Sequence, residues 1–325
     1  MASRYRIILF ILCMPFLALA LLWLGTRAWV VHVEDSYPPL GRFLELNDRR
    51  VHLLEAGEGA PVVMLHGASS NVREWQASIF GRVAGRHHAI AIDRPGHGWS
   101  ERNGADDHDP RVQAEIVHAV LDDLGVRRPV LVAHSFAGTV ALAYALAHPD
   151  DVGGILFLSG VSHPWPGGVG WFQDVAAVPV LGPLFANTLF LPGYLARRES
   201  AIEKAFAPNP VPQGYASEAG VALYARPASI TANAQDIVEL KPIVAAMAER
   251  YHTLDVPLTV MTGDADQVIW SHLHSGPLAE KVEGAELRVL EGVGHMPHHA
   301  RPDAVLSAID ALVEKRKSPA VTSAD

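Results

Sequence analysis

"LVAHSFAGTV", residues 131–140, decides how this chain is read. Apolar residues run into a His-Ser pair, Phe136, two small residues, and a second apolar stretch. The first run has the continuous apolar character of a strand buried on both faces. The second has the length and composition of a helix. A serine at such a junction, with Ala133 before it and Ala137 and Gly138 after it, implies a sharp strand-to-helix turn. Only small side chains fit where the two backbones approach that closely. The generic role for a serine there is a helix N-cap, so neighbouring segments must decide whether it does more.

The same rhythm extends on both sides. "RFLEL" and "RVHLLEAG" read as a strand pair joined across the turn "NDR". "PVVMLHG" and "HAIAID" are further strands, the latter ended by the Pro/Gly loop "RPGHGWS". Asn71 with Glu74 three residues later resembles a capping box opening a helix through "REWQASIF". "DPRVQAEIVHAVLDDLG" has helical spacing, a proline in its first turn and a glycine stop. "VGGILFLSG", "VPLTVMTGD" and "AELRVLEG" complete the strands, and "RPDAVLSAIDALVEK" is a closing helix. Such alternation predicts an α/β fold with a mostly parallel sheet and helices on both faces. Ligands in such sheets lie beyond the carboxyl ends of the strands. Residues 161–250 break the pattern with Pro, Gly and aromatic residues, and read as a helical insertion.

Composition narrows the function. The 325 residues carry 26 Lys and Arg against 35 Asp and Glu, a net charge of −9. The one short basic run, Lys315–Lys317, reads as the solvated end of the last helix, so nucleic acid is not an expected partner. The single cysteine, Cys13, excludes an intramolecular disulfide and a Cys-based zinc site. Residues 7–25 carry no charge. At about 1.5 Å per residue they reach roughly 28 Å, close to the hydrocarbon thickness of a bilayer. Residues 1–30 therefore read as a single-pass anchor in the lipid bilayer, 31–40 as a linker and 318–325 as a flexible tail. A cleaved signal peptide is the competing reading, with Ala18-Leu19-Ala20 as its site. Arg4 and Arg6 against Arg27 place the N-terminus in the cytoplasm and the large domain on the other side.

Every residue with chemistry to offer follows a strand. Ser135 follows "VLVAH", Asp264 and Asp266 follow "LTVMTG", His295 follows "LRVLEGVG", and His66-Gly67 follow "VVML". With these go "LHGASS" (65–70), "DRPGHGWS" (93–100), "AHSFAG" (133–138), "GDAD" (263–266) and "GHMPHHARPD" (294–303). On these five pieces, in this order, the chain resembles the α/β-hydrolase fold superfamily, in its lid-bearing serine esterase-like group, over about residues 40–317. The resemblance implies an eight-stranded sheet formed by 41–160 and 251–317, with 161–250 as a lid. The family pattern G-x-S-x-G has Ala133 and Ala137 at its glycine positions here.

The resemblance also implies roles. Ser135 is the expected nucleophile, His295 its base and Asp266 the carboxylate behind the imidazole, with Asp264 as rival. The backbone N–H groups of Ala68 and Phe136 are the expected oxyanion donors. A serine, where some relatives carry aspartate, favours acyl transfer to water. A small-molecule carboxylic ester is the expected substrate, with thioesters, lactones and carbon–carbon bonds as alternatives. Trp165, Trp171, Phe172, Phe185, Phe190, Leu191, Tyr194 and Phe206 are candidates for an apolar pocket or for the insertion's own core. His134 and Asp93 read as structural. His295, His298 and His299 have a metal-like spacing, but Pro297 interrupts any helix and no partner Cys or Glu cluster appears, so no metal or other cofactor is expected. A non-catalytic ligand-binding receptor on the same scaffold is the alternative from another class. The sequence does not bear on oligomeric state.

Overall fold

The computed structural model describes residues 2–46 and 49–317, with side chains from Cys13 to Arg316. The turn expected at Asn47 and Asp48, the side chain of Lys317 and the tail 318–325 lie outside these residues.

The elements follow in chain order. Helix α1 (Ala2–Ser36) precedes β1 (Arg42–Leu46), β2 (Arg49–Ala56) and β3 (Pro61–Leu65). Short helices α2 (Arg73–Gln76) and α3 (Phe80–Ala84) lead to β4 (His88–Ile92), then α4 (Pro110–Asp123), β5 (Val130–His134), α5 (Ala137–Ala147) and β6 (Gly154–Leu158). The insertion holds α6 (Trp171–Ala177), α7 (Leu181–Asn187), α8 (Phe190–Phe206), α9 (Tyr215–Glu218) and α10 (Pro227–Ala248). The chain closes with β7 (Leu258–Gly263), α11 (Ser275–Lys281), β8 (Glu286–Leu290), α12 (Pro297–Ala300) and α13 (Pro302–Lys317).

The eight strands form one sheet in the order β1-β2-β4-β3-β5-β6-β7-β8. β2 is antiparallel to β1 and β4, and the rest pair in parallel. The continuous apolar runs are the interior strands: β3, β5, β6 and β7 are buried at every position. β8 is an edge strand that leaves Leu287 and Val289 exposed. One face of the sheet packs on α4 and α5, the other on α3 and α13, giving two apolar clusters. Each fully buried Val, Leu or Ile contributes roughly 1.5–3 kcal/mol.

Two expectations need correction. Residues 31–36 are not linker: α1 continues unbroken to Ser36 and buries Val33. The apolar helix thus runs directly into contact with the domain, with Trp29 packed against the insertion and Arg226 3.2 Å from Glu34. Nor is there a capping box at Asn71. Its side chain does accept from the Arg73 N–H at 3.0 Å, but Glu74 is buried and faces other partners. The stretch that follows is two short helices rather than one.

The insertion has its own small core. Phe190, Leu191, Ala186 and Ile230 pack together with Phe172, Phe185 and Tyr194 around them. Five of the aromatic and apolar pocket candidates are therefore the insertion's interior. Phe206 packs on Tyr215 and His299, and Trp171 is exposed.

Candidate active site

The strand-to-helix turn is sharp. Ser135 sits at φ +54°, in the left-handed region that non-glycine residues seldom occupy. Its N–H donates to Leu158 O at 3.0 Å, and its C=O accepts from Gly138 N at 3.0 Å and Val161 N at 3.2 Å. Ala133 and Ala137 are fully buried. The one position here that must be glycine is 138, where a Cβ would lie 2.5 Å from the Phe157 ring. The turn is therefore held by β6 as well as by its own sequence.

The parallel strands bring Ser135, Asp266 and His295 together at one edge of the sheet. Ser135 Oγ is 3.0 Å from His295 Nε2, and His295 Nδ1 is 2.8 Å from Asp266 Oδ2. The other oxygen of Asp266 accepts from the N–H groups of Val268 and Ile269 at 2.8 and 2.9 Å. Its carboxylate is thereby fixed behind the ring. Asp264 is exposed and accepts from Gly292 N at 2.8 Å, away from the imidazole. In this arrangement the imidazole can take the hydroxyl proton while the carboxylate stabilises the resulting charge.

Ala68 lies in the loop after β3 and Phe136 directly follows Ser135. Among the described residues neither backbone N–H has a hydrogen-bond acceptor, which leaves both available to a developing anion. The loop around Ala68 is held from the insertion, where Asn233 Oδ1 accepts from Ser69 N at 2.6 Å. Beneath it, Arg94 donates to the carbonyls of His66 and Gly67 at 3.0 and 3.1 Å and lies 4.3 Å from the centre of the Phe136 ring. His66 accepts from Arg94 N; its burial and the adjacent guanidinium hold its pKa well below the ordinary histidine value. Asp93 fixes its loop by accepting from Val72 N and Trp99 N, each at 2.8 Å, and by its contact with His52 Nδ1 at 2.7 Å. His134 donates or accepts nothing toward Ser135; its Nε2 meets His295 O at 2.8 Å and positions that loop.

Sequence reasoning missed two buried networks joining insertion and core. In one, Asp236 of α10 meets Arg94 and Arg102, each at 2.7 Å, and His97 at 3.1 Å. Burial alone would raise the Asp236 pKa; its bond with His97 and the two guanidinium charges instead hold it far below the carboxylate range. In the other, Glu74 accepts from Tyr215 at 2.6 Å and lies 3.1 and 2.6 Å from the Nε2 atoms of His298 and His299. His298 and His299 thus share one acidic partner, distant in sequence, that no Cys or Glu cluster announced. A Glu-His-His set can hold a divalent cation, and the three donor atoms lie within 4.8 Å of one another. Here both imidazoles and the phenol converge on the two carboxylate oxygens as hydrogen-bond partners. A carboxylate that meets its histidines across more than two hundred residues leaves no local pattern by which to find it.

A family-wide sequence profile described as "Alpha/beta hydrolase family" matches residues 62–308, and the chain belongs to that family. Over 138 residues it is 32% identical to 2-hydroxymuconate semialdehyde hydrolase of Pseudomonas sp. (strain CF600), covering 41% of this chain and 49% of that protein. The chain thus spans about half the length of that relative. Among solved structures, Est816, described as an N-acyl homoserine lactone degrading enzyme, is 28% identical with a TM-score of 0.63, covering 83% of this chain and 99% of its own. A membrane phospholipase A, 21% identical with a TM-score of 0.68, shares the fold over 98% of this chain and 100% of its own.

Proposed function

We propose that this protein is a membrane-anchored serine hydrolase that cleaves carboxylic esters of apolar or lipid-like substrates through an acyl-enzyme. The observation that carries the reading is the imidazole of His295 set between Ser135 Oγ at 3.0 Å and Asp266 at 2.8 Å. Ser135 Oγ attacks the ester carbonyl as His295 Nε2 takes its proton. The N–H groups of Ala68 and Phe136 hold the oxyanion. Collapse breaks the C–O bond, and the alcohol leaves with the proton from His295. Water then adds to the acyl-enzyme by the same route and frees the acid. The insertion acts as the lid, and α1 anchors the domain on the non-cytoplasmic side. Its portion Cys13–Ser36 meets the length and apolar composition of a span, as a signal sequence also would.

The likeness to a 2-hydroxymuconate semialdehyde hydrolase supports a second reading, hydrolysis of a carbon–carbon bond by the same residues, and the likeness to Est816 a third, lactone opening. The test is a fluorophosphonate probe on full-length protein, with Ser135→Ala as control, followed by a panel of p-nitrophenyl esters, lactones and an unsaturated diketone. Labelling that requires Ser135, with turnover of esters above the other classes, is the expected result. Absence of labelling and of turnover would leave a receptor. Carbonate-resistant membrane retention is expected for the anchor; a shortened, soluble product would reveal a cleaved signal.

A further inference from the structure

We propose that the insertion itself is a second membrane-contacting element, with the faces of α7 and the start of α8 seated in the same bilayer that α1 crosses. The inference rests on the anchor reading for the position of the bilayer. Residues 175–196 contain no charged side chain. Pro179, Pro183 and Pro192 divide this run, so it folds as short helices rather than as a span. Part of it builds the insertion's core, but Val178, Val180, Leu181, Leu184, Leu189 and Leu195 face solvent, Val180 at 80% and Leu184 at 52% exposure. Exposed apolar side chains gathered in one uncharged stretch point to a membrane or partner contact.

Continuity with α1 selects the bilayer as the occupant. α7 packs beside α1, and Trp29 of α1 joins the insertion's core. A groove of about 460 Å³ between them is lined by Leu21, Leu22 and Gly25 on one side and Leu191, Pro192 and Leu195 on the other. Leu21, Leu22 and Gly25 end the uncharged stretch 7–25. If that stretch spans, the insertion residues pressed against it are carried to the edge of the hydrocarbon. Both apolar segments also end in arginine, α1 at Arg27 and α8 at Arg197-Arg198, the residues that meet lipid phosphates at an interface. The lid would then open toward lipid, and an apolar ester could reach Ser135 without crossing water.

The test uses full-length protein in vesicles of phosphatidylcholine and phosphatidylglycerol carrying brominated acyl chains. An environment-sensitive fluorophore is placed on the native Cys13 and, in a Cys13→Ser background, on Val180→Cys, Leu184→Cys and Val289→Cys. Quenching at positions 180 and 184 at least twofold above that at 289 is expected. Quenching at Cys13 but not at 180 and 184 would overturn the inference and leave the anchor standing. If Cys13 is unquenched, the anchor reading fails and the shared-bilayer inference with it, whatever is seen at 180 and 184. Shielding at 180 and 184 from water without lipid quenching would assign the face to a second copy of the chain and overturn the inference. Val180→Asp with Leu184→Asp should raise the apparent KM for a vesicle-borne ester about tenfold and leave kcat/KM for a soluble short-chain ester within twofold. Equal losses on both substrates would count against the proposal.

Discussion

Strands β3, β5, β6 and β7 are buried at every position, whereas the insertion between β6 and β7 leaves Val180, Leu184 and Leu189 in solvent. The core is held by apolar burial spread over many residues. The insertion shares that burial only where Leu240, Val244 and Met247 of α10 and its Phe206 meet the core, and is otherwise tied down by a few buried polar contacts: Asp236 with Arg94 and Arg102, Asn233 with Ser69, and Tyr215 with Glu74. Burial spread over many side chains is hard to undo at one position. A handful of charge-assisted bonds can fail singly, because loss of one partner strands the other without water. The core and the insertion should therefore respond differently to mutation and to acid.

The largest effect is expected where the core edge carries the chemistry. Asp266→Asn should lower kcat by about 10⁴, since an amide cannot fix the required tautomer of His295 or stabilise its charge. Asp264→Asn should change kcat little, as its carboxylate serves only the Gly292 turn. Steady-state kinetics on one ester decides the matter, and the reverse ranking would move the acid to position 264.

The next effect falls on the seam. Asp236 is fully buried against two guanidinium groups. Asp236→Ala should cost about 3–5 kcal/mol, the range for breaking a buried ion pair by removing one member. Hydrogen exchange should rise first in α10 and in the loop after β4, before β5 and β6. A uniform rise would show that core and insertion unfold as one unit and that their contrast is only one of surface.

This contrast also explains what the sequence disclosed. A strand buried on both faces is an uninterrupted apolar run, a local signal, so the interior strands were legible from their own residues. Ser135, Asp266 and His295 stood out as residues soon after strands whose parallel ends share one edge, but the resemblance to the α/β-hydrolase motifs, not position, grouped them and preferred Asp266 to Asp264. The seam was not legible. Glu74 meets His298 and His299 across more than two hundred residues, and Asp236 sits mid-helix among residues of ordinary helical character. Their pairing depends on how the insertion lies over the core, which no periodicity encodes. Glu74 even imitated a helix cap. The helical course of residues 31–36 was hidden for a related reason. The neighbouring proline-containing stretch "DSYPPLG" suggested a linker, while Val33 and Glu34 are held by the domain beside them.

The smallest predicted effect is acid sensitivity, to which the seam contributes two groups beside the depressed, buried His66, His134 and His274. His97 and His298 both face buried carboxylates, yet burial lowers each pKa from 6.5 to about 4. For His97 the Arg94 charge adds to the shift; for His298 the neighbouring His299 does. Both are depressed in the folded state, so the unfolded chain binds protons first. The stability associated with each is whole above pH 6.5, declines as pH falls below that value, and is fully lost below about 4. At 1.36 kcal/mol per pH unit, each would forfeit on the order of 2 kcal/mol by pH 5. Melting temperature followed from pH 7.5 to 4.5 should therefore fall. In His298→Asn the slope should be shallower, in His97→Asn likewise, and in the double variant shallower than in either, because neither replacement can take up the proton. An unchanged slope in the double variant would place the acid-sensitive groups in the core rather than at its contact with the insertion.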